Sequence, residues 1–334
     1  MLHHQHLLHD WLKNKCHLQI HQIEPIKGDA SLRQYYRVVA EHPNQSTKNM
    51  ILMDAHQAAE KTEQFIFVDK LLASLAIRVP EIYYIHDEQN YLLLEDLGNI
   101  QLLEVLNEQN VNQFYSNALN TLATMQVNAA NIDISKALPT FDIVHMSSEV
   151  QLFHDWFLTK HLKLDLDKAS QKMLQNTFDQ LIQTIESFPK TLIHRDYHSR
   201  NLMVINQNEL GVIDFQDAMY GPRAYDVVSL LKDCYIVWDE SLQKKYCLFF
   251  LEQIGRPEEQ ENFWYEFQLC GLQRHIKVLG IFARLAYRDN KTQFLHDLPR
   301  VWNYTLMALK DLPEFKTFHL FLKEKIEPLF LKSI

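Results

Sequence analysis

Two polar side chains sit five residues apart in the string His194-Arg-Asp-Tyr-His-Ser-Arg-Asn201, and a second carboxylate, Asp214, follows 13 residues later. Apolar runs flank both, Thr191-Leu-Ile193 before the first and Leu210-Gly-Val-Ile213 before the second. A carboxylate at Asp196 can take the proton of an attacking hydroxyl. Asn201 and Asp214 offer hard oxygen ligands of the kind Mg²⁺ prefers when it bridges phosphates. The chemistry this spacing suits is transfer of a phosphoryl group from a nucleotide. Asn201 is neutral, which limits repulsion at a metal already surrounded by phosphates. Asp214 ends a run too apolar for a surface strand, so its charge needs a partner: a divalent cation, or a salt bridge to Arg195 or Arg200.

The neighbours of these residues read as scaffolding. Asp226 opens a helix in Gly221-Pro-Arg-Ala-Tyr-Asp-Val-Val228 and is placed to brace the loop through its backbone N–H groups or His194. His194 and Arg195 are expected to support the same loop. His198 is expected either at the substrate or in solvent.

The elements that must position them follow from periodicity. The first amphipathic helix carries Leu7, Leu8, Trp11 and Leu12. Strands are expected over 20–26, 34–39, 50–53, 82–86 and 91–94, with a helix from Glu60 to Leu75 between them. Long helices are expected over 102–130 and 150–187, a β-rich island over 191–215, and helices again from Tyr225 onward. This is an α+β chain with a small β-rich N-terminal lobe (1–94), a hinge (95–99) and a larger helical lobe (100–334).

Composition narrows the function classes. The 334 residues suffice for two lobes with a sizeable core, and only seven are glycine, which favours a helix-rich design. A net charge of −9 offers no general attraction to nucleic acid or anionic membranes. No run of 18 apolar residues occurs, no signal-peptide layout opens the chain, and the four cysteines lack C-x-x-C spacing. A reduced cytoplasmic protein is expected, as a monomer or, alternatively, a dimer.

At the loop residues the sequence resembles the aminoglycoside phosphotransferase and choline kinase-like family, small-molecule relatives of the protein kinases with a bilobal fold. The strings 194–203, 211–218, 225–231 and Gly271-Leu-Gln-Arg-His-Ile-Lys-Val-Leu-Gly-Ile-Phe-Ala-Arg284 are similar to those of bacterial cell-wall amino-sugar kinases. Those enzymes phosphorylate the anomeric hydroxyl of N-acetylmuramate and N-acetylglucosamine in peptidoglycan recycling. The resemblance implies ATP and Mg²⁺ as cofactors and a small amino sugar as partner. By position it makes Asp196 the base, Asn201 and Asp214 the metal ligands, and Glu95, Asp96 and Leu97 the adenine hinge. Gly28 to Arg33 becomes the phosphate loop, with Gly28 and Ser31 cradling oxygens. Gln216 stands where many protein kinases have glycine, which implies a more fixed segment after Asp214.

One departure concerns the nucleotide. Kinases carry a lysine on the third strand, and Met50-Ile-Leu-Met53 has none in its interior. Lys48 precedes it; Arg33 or Arg37 can supply the charge, or lie at the surface. For the sugar, Glu149 and Trp156 fall in a string that resembles the same kinases. Trp156 and Phe157 either stack on a pyranose or belong to the core. Gln273, Arg274 and His275 interrupt an apolar helix. Arg274 either grips the lactyl carboxylate of a muramic sugar or pairs internally with Asp226 or Asp233. The alternatives to a sugar kinase are a kinase for an aminoglycoside or choline-like alcohol and a catalytically silent kinase-like binding protein.

Overall fold

The computed structural model describes residues 2–26, 33–41, 46–56, 60–207 and 209–333. In chain order the elements are α1 (Leu2–Asn14), β1 (Gln19–Ile26), β2 (Gln34–Glu41), β3 (Lys48–Asp54), α2 (Glu60–Ser74), β4 (Ile82–His86) and β5 (Tyr91–Glu95). There follow α3 (Leu102–Val105), α4 (Val111–Ala129), α5 (Ile134–Ala137), α6 (Ile143–Leu152), a wide π-type stretch (Phe153–His161) and α7 (Lys168–Glu186). Then come β6 (Lys190–Ile193), β7 (Leu202–Asn206), β8 (Glu209–Val212), β9 (Met219–Pro222), α8 (Tyr225–Leu231), α9 (Glu240–Gln253) and α10 (Gln260–Arg288). The chain closes with α11 (Leu298–Lys310), α12 (Lys316–Phe321) and α13 (Glu327–Phe330).

These elements form two compact units, Met1–Gln101 with Leu202–Asp217, and Leu102–Asn201 with Ala218–Ile334. The division 1–94, 95–99 and 100–334 therefore needs one correction: the β7–β8 hairpin and the Asp214 segment pack with the first unit. Its ties there are local. Val204 donates its N–H to Ile100 O, and Val212 donates to Arg78 O.

The first unit is an antiparallel sheet in the order β1-β2-β3-β5-β4. Alternation sorts its faces. Val38 and Ala40 of β2, Met50 and Leu52 of β3, and Tyr91 and Leu93 of β5 form a core with Leu8, Trp11 and Leu12. Those three α1 residues have helical spacing and are buried, whereas Leu7 is exposed. On the other face Tyr35 and Arg37 stand opposite Met53 and Ile51.

The second unit is mainly helical. Two helices expected to be long are interrupted. Between α3 and α4 the side chains of Asn107 and Asn110 accept backbone N–H groups of the turn and so compete with the helix. After the π-type stretch, Asp167 caps α7 by accepting the N–H of Ser170 at 2.7 Å. A short strand not expected from sequence, β9, pairs antiparallel with β6. The long helix α10 is buried over most of its length and approaches α6 closely. A Cβ at Gly280 would lie 2.4 Å from the Leu152 backbone, so only glycine fits there. All four cysteines are free and buried. Among the described residues no helix is long and apolar enough to cross a membrane.

Candidate active site

The loop after β6 is fastened at nearly every residue. Asp226, at the start of α8, accepts the N–H of His194 at 2.6 Å and that of Arg195 at 2.9 Å. Arg195 has φ of 75°, a left-handed conformation that a non-glycine residue keeps only when its surroundings hold it. They do: Arg274 Nη1 donates to the Arg195 carbonyl at 2.9 Å on its other side. Asp196 N–H donates to His194 Nδ1 at 3.2 Å, which assigns the proton of that ring to Nε2. Tyr197 OH donates to Ala118 O at 2.8 Å. Both the N–H and the hydroxyl of Ser199 donate to Asp233. Asn201 Nδ2 donates to Asp196 O at 2.9 Å, which closes the loop on itself and commits the amide end of that carboxamide.

The carboxylate of Asp196 emerges from this scaffold 44% exposed, while Arg274, 3.4 Å from its Oδ1, is only 3% exposed. Burial alone would raise the Asp196 pKa, but positive charge, chiefly that of Lys277 and Arg274 and also that of Arg195, outweighs it and holds the carboxyl well below the usual range. Asp196 is therefore an accessible, permanently ionised acceptor. Burial pushes the Asp226 carboxyl up, opposed by His194 and by the two N–H groups it accepts. His198 packs edge-on against Tyr235; burial lowers its pKa against the pull of Asp233 and Asp196, so the ring is neutral at physiological pH.

Beneath the loop lies a buried ionic network. Glu149 on α6 pairs with Arg195, accepts from Gln273 Nε2 at 2.9 Å and lies 3.1 Å from Lys277 Nζ. Lys277 also donates to Tyr225 OH at 3.2 Å. Burial opposes ionisation of Glu149, but Lys277, Arg195 and Gln273 more than compensate and lower its pKa.

Of the residues expected at the sugar, Glu149, Gln273 and Arg274 are buried, and each is bonded to the loop of residues 194–201 or to its supports. The internal pairing of Arg274 is also not with Asp226 or Asp233 but with the Arg195 carbonyl and Asp196. His275 is likewise buried, stacked on Tyr304 with ring centroids 5.1 Å apart. Phe157 is core, packed on Phe153, Trp302 and Phe330, while Trp156 is half-buried. Sequence reasoning gave no role to Lys277 or to the Tyr225 hydroxyl, and it offered Asp233 only as a partner of Arg274, whereas Asp233 holds Ser199. The signal for Lys277 was present: it falls three residues after Arg274 and four after Gln273, hence on one face of α10.

In the first unit, Asp214 also adopts a left-handed conformation, φ 63°. Gln216 Nε2 donates to Asp214 Oδ1 at 3.0 Å, so the residue standing in place of glycine ties down its neighbour. Phe215 is fully buried against Phe65 of α2, ring centroids 4.9 Å apart. The side chains of Glu95 and Asp96 are engaged within the first unit. Glu95 takes a bidentate hydrogen bond from Arg78, and Asp96 accepts from Arg37 Nε at 2.6 Å and from Gly98 N at 2.9 Å. Leu97 packs over Gly211, where a Cβ would come within 2.6 Å of it. Arg37 thus serves Asp96, and Arg33 is buried, not a surface charge. Gly28 and Ser31 lie outside the described residues.

The donor chemistry fits Mg²⁺. Each expected ligand, taken by itself, has a hard oxygen: Asn201 commits its amide nitrogen to Asp196 O, which sets its carboxamide oxygen as the ligand end, and Asp214 carries a carboxylate. One or two protein oxygens plus phosphates is the usual Mg²⁺ complement.

Residues 22–261 match the model of the phosphotransferase enzyme family. The chain belongs to that family. It is similar to the N-acetylmuramate/N-acetylglucosamine kinase of Pseudomonas aeruginosa, 35% identical over 88% of this chain and 85% of that protein. To the protein of the same name from Neisseria meningitidis it is 31% identical, over 96% of this chain and 95% of the relative. Among solved structures, the GDP complex of wild-type aminoglycoside 2'-phosphotransferase-IIIa aligns with a TM-score of 0.63 at 15% identity, covering 90% of this chain and 98% of that one. Plasmodium vivax ethanolamine kinase aligns with a TM-score of 0.57 at 16% identity, covering 89% and 84%. Those two likenesses are of fold, and they make the fold of this phosphotransferase kinase-like.

Proposed function

We propose that this phosphotransferase is an ATP- and Mg²⁺-dependent sugar kinase that phosphorylates the anomeric hydroxyl of N-acetylmuramate, N-acetylglucosamine or both, in peptidoglycan recycling in the cytoplasm. The observation that carries the reading is the catalytic loop, where an exposed and ionised Asp196 stands on a backbone held by Asp226, Arg274 and Asn201. The names of its relatives supply the substrate.

In this reading Asp196 accepts the proton of the sugar hydroxyl as the oxygen attacks the γ-phosphorus. Its depressed pKa makes it a weak base, which suits an anomeric hydroxyl, more acidic than an ordinary alcohol. Asn201 and Asp214 would hold Mg²⁺, which would supply positive charge to offset that of the phosphates. The backbone of residues 95–97 would receive the adenine, because the side chains of Glu95 and Asp96 are already engaged within the first unit. Most of the rate comes from positioning, and the strain at Arg195 is the sign of it.

The test is ADP release by purified protein with Mg²⁺-ATP and, in parallel, N-acetylmuramate, N-acetylglucosamine, choline and kanamycin. A signal with the amino sugars and none with the cationic alcohols is expected. A signal with choline or kanamycin alone moves the substrate to another class, and ATP binding without turnover on any of them leaves a silent kinase fold.

A further inference from the structure

The third-strand lysine of kinases meets the nucleotide's phosphates, and this chain must replace it or do without. Strand parity removes one substitute. Lys48 lies on β3 at the same parity as Met50 and Leu52, whose side chains point into the core shared with α1. The opposite face of β3 offers Ile51 and Met53, which are apolar. On the neighbouring strand their cross-strand partners are Arg37 and Tyr35.

The two arginines of this region are drawn to different ends. Arg37 is bound to Asp96 through Nε at 2.6 Å and Nη2 at 3.1 Å, and its Nη2 also reaches the Gly98 carbonyl at 3.2 Å. Its charge is spent at the hinge. Arg33 sits at the other end, over the ring of Phe65, with Cζ 5.8 Å from the centroid. Phe65 in turn packs on Phe215, the residue after Asp214. An arginine stacked on an aromatic face still offers planar, forked N–H donors that match phosphate oxygens.

We propose that Arg33, and not Arg37 or Lys48, is the cation that meets the nucleotide's phosphates in place of the third-strand lysine. The inference rests on the ATP reading above. Its consequence is that α2 contributes a ring, Phe65, where kinases use a helix carboxylate to hold the lysine.

The experiment is calorimetric titration of ADP and of adenosine into wild type, Arg33→Met, Arg33→Lys and Arg37→Met, with thermal melting to confirm that each is folded. Arg33→Met is expected to weaken ADP about tenfold or more, one charge-assisted contact's worth, while adenosine is unchanged. Arg33→Lys should recover most of that loss, and it carries the test through comparison with Arg33→Gln if the methionine variant does not fold. Arg37→Met is expected to weaken both ligands by the same factor or neither. An unchanged ADP-to-adenosine ratio in Arg33→Met, or a collapse of that ratio in Arg37→Met, overturns the assignment. Wild type that binds neither ligand overturns the nucleotide reading itself.

Discussion

The loop of residues 194–201 and the nucleotide-associated segments of the first unit use charge in opposite ways. The loop rests on buried ions: Glu149, Arg195, Arg274, Lys277 and Asp226 are all withdrawn from solvent or nearly so and joined by hydrogen bonds. The first unit places its ion pairs nearer the surface, Arg37 with Asp96 and Arg78 with Glu95, and in its Asp214 segment Gln216 donates to Asp214 while Phe215 packs on Phe65. Buried ions bonded to one another fix a strained backbone such as that of Arg195, because breaking a link strands a charge. Half-exposed pairs only bias a geometry. The loop that carries the proposed base is thus tied by more deeply buried ionic links than the residues proposed for the nucleotide.

The contrast can be broken most severely at the base. Asp196→Asn should lower kcat by about 10²–10⁴-fold while ADP affinity, measured by calorimetry, is retained. Retained turnover would remove Asp196 from the chemistry. Next comes Glu149→Gln, which leaves Arg195 and Lys277 buried without their carboxylate. A loss of about 3–5 kcal/mol in urea unfolding is expected; a loss below 1 kcal/mol would show that the network is not what secures the loop.

A smaller effect is expected at Asp69 of α2, in the first unit. It is 5% exposed and its Oδ2 lacks a hydrogen-bond partner, and burial pushes its pKa up to about 7 against the pull of Lys70. The folded state then holds a proton that the unfolded chain releases near its ordinary carboxylate pKa. Stability is accordingly highest below about pH 4 for this group and falls as pH rises toward 7. Asp69→Asn should raise Tm by several degrees at pH 8 and change it little at pH 4.5. An equal shift at both values would point to packing instead of titration. The smallest effect belongs to Arg37→Met, where a pair a quarter exposed on one side is worth about 1 kcal/mol or less. A destabilisation like that of Glu149→Gln would erase the contrast between the two regions.

The same contrast explains what was legible in the sequence. The β1–β5 strands and α1 follow from alternation and helical spacing in segments that have one buried face. The spacing of Asp196, Asn201 and Asp214 is set by a short loop and a hairpin, so it survives in linear order. What supports them does not. Glu149 meets Arg195 across 46 positions, and Arg274 meets it across 79. An isolated arginine in an apolar helix reads equally as a ligand contact or an internal brace, since periodicity tells its face but not what covers it. The π-type stretch Phe153–His161 shares the apolar composition of the helix before it, and β9 has four residues, one glycine and one proline, too few to alternate. Arg33 and Arg37 look alike four residues apart; only the position of Asp96 and Phe65 tells them apart.

The measurement that tests the central claim most directly is ³¹P and ¹H NMR of the product formed from Mg²⁺-ATP and N-acetylmuramate or N-acetylglucosamine. The account predicts a phosphate monoester whose phosphorus couples to the anomeric proton of the sugar, with ADP formed in equal amount. Coupling to a proton at any other carbon, or ADP formed without a sugar phosphate, would contradict it.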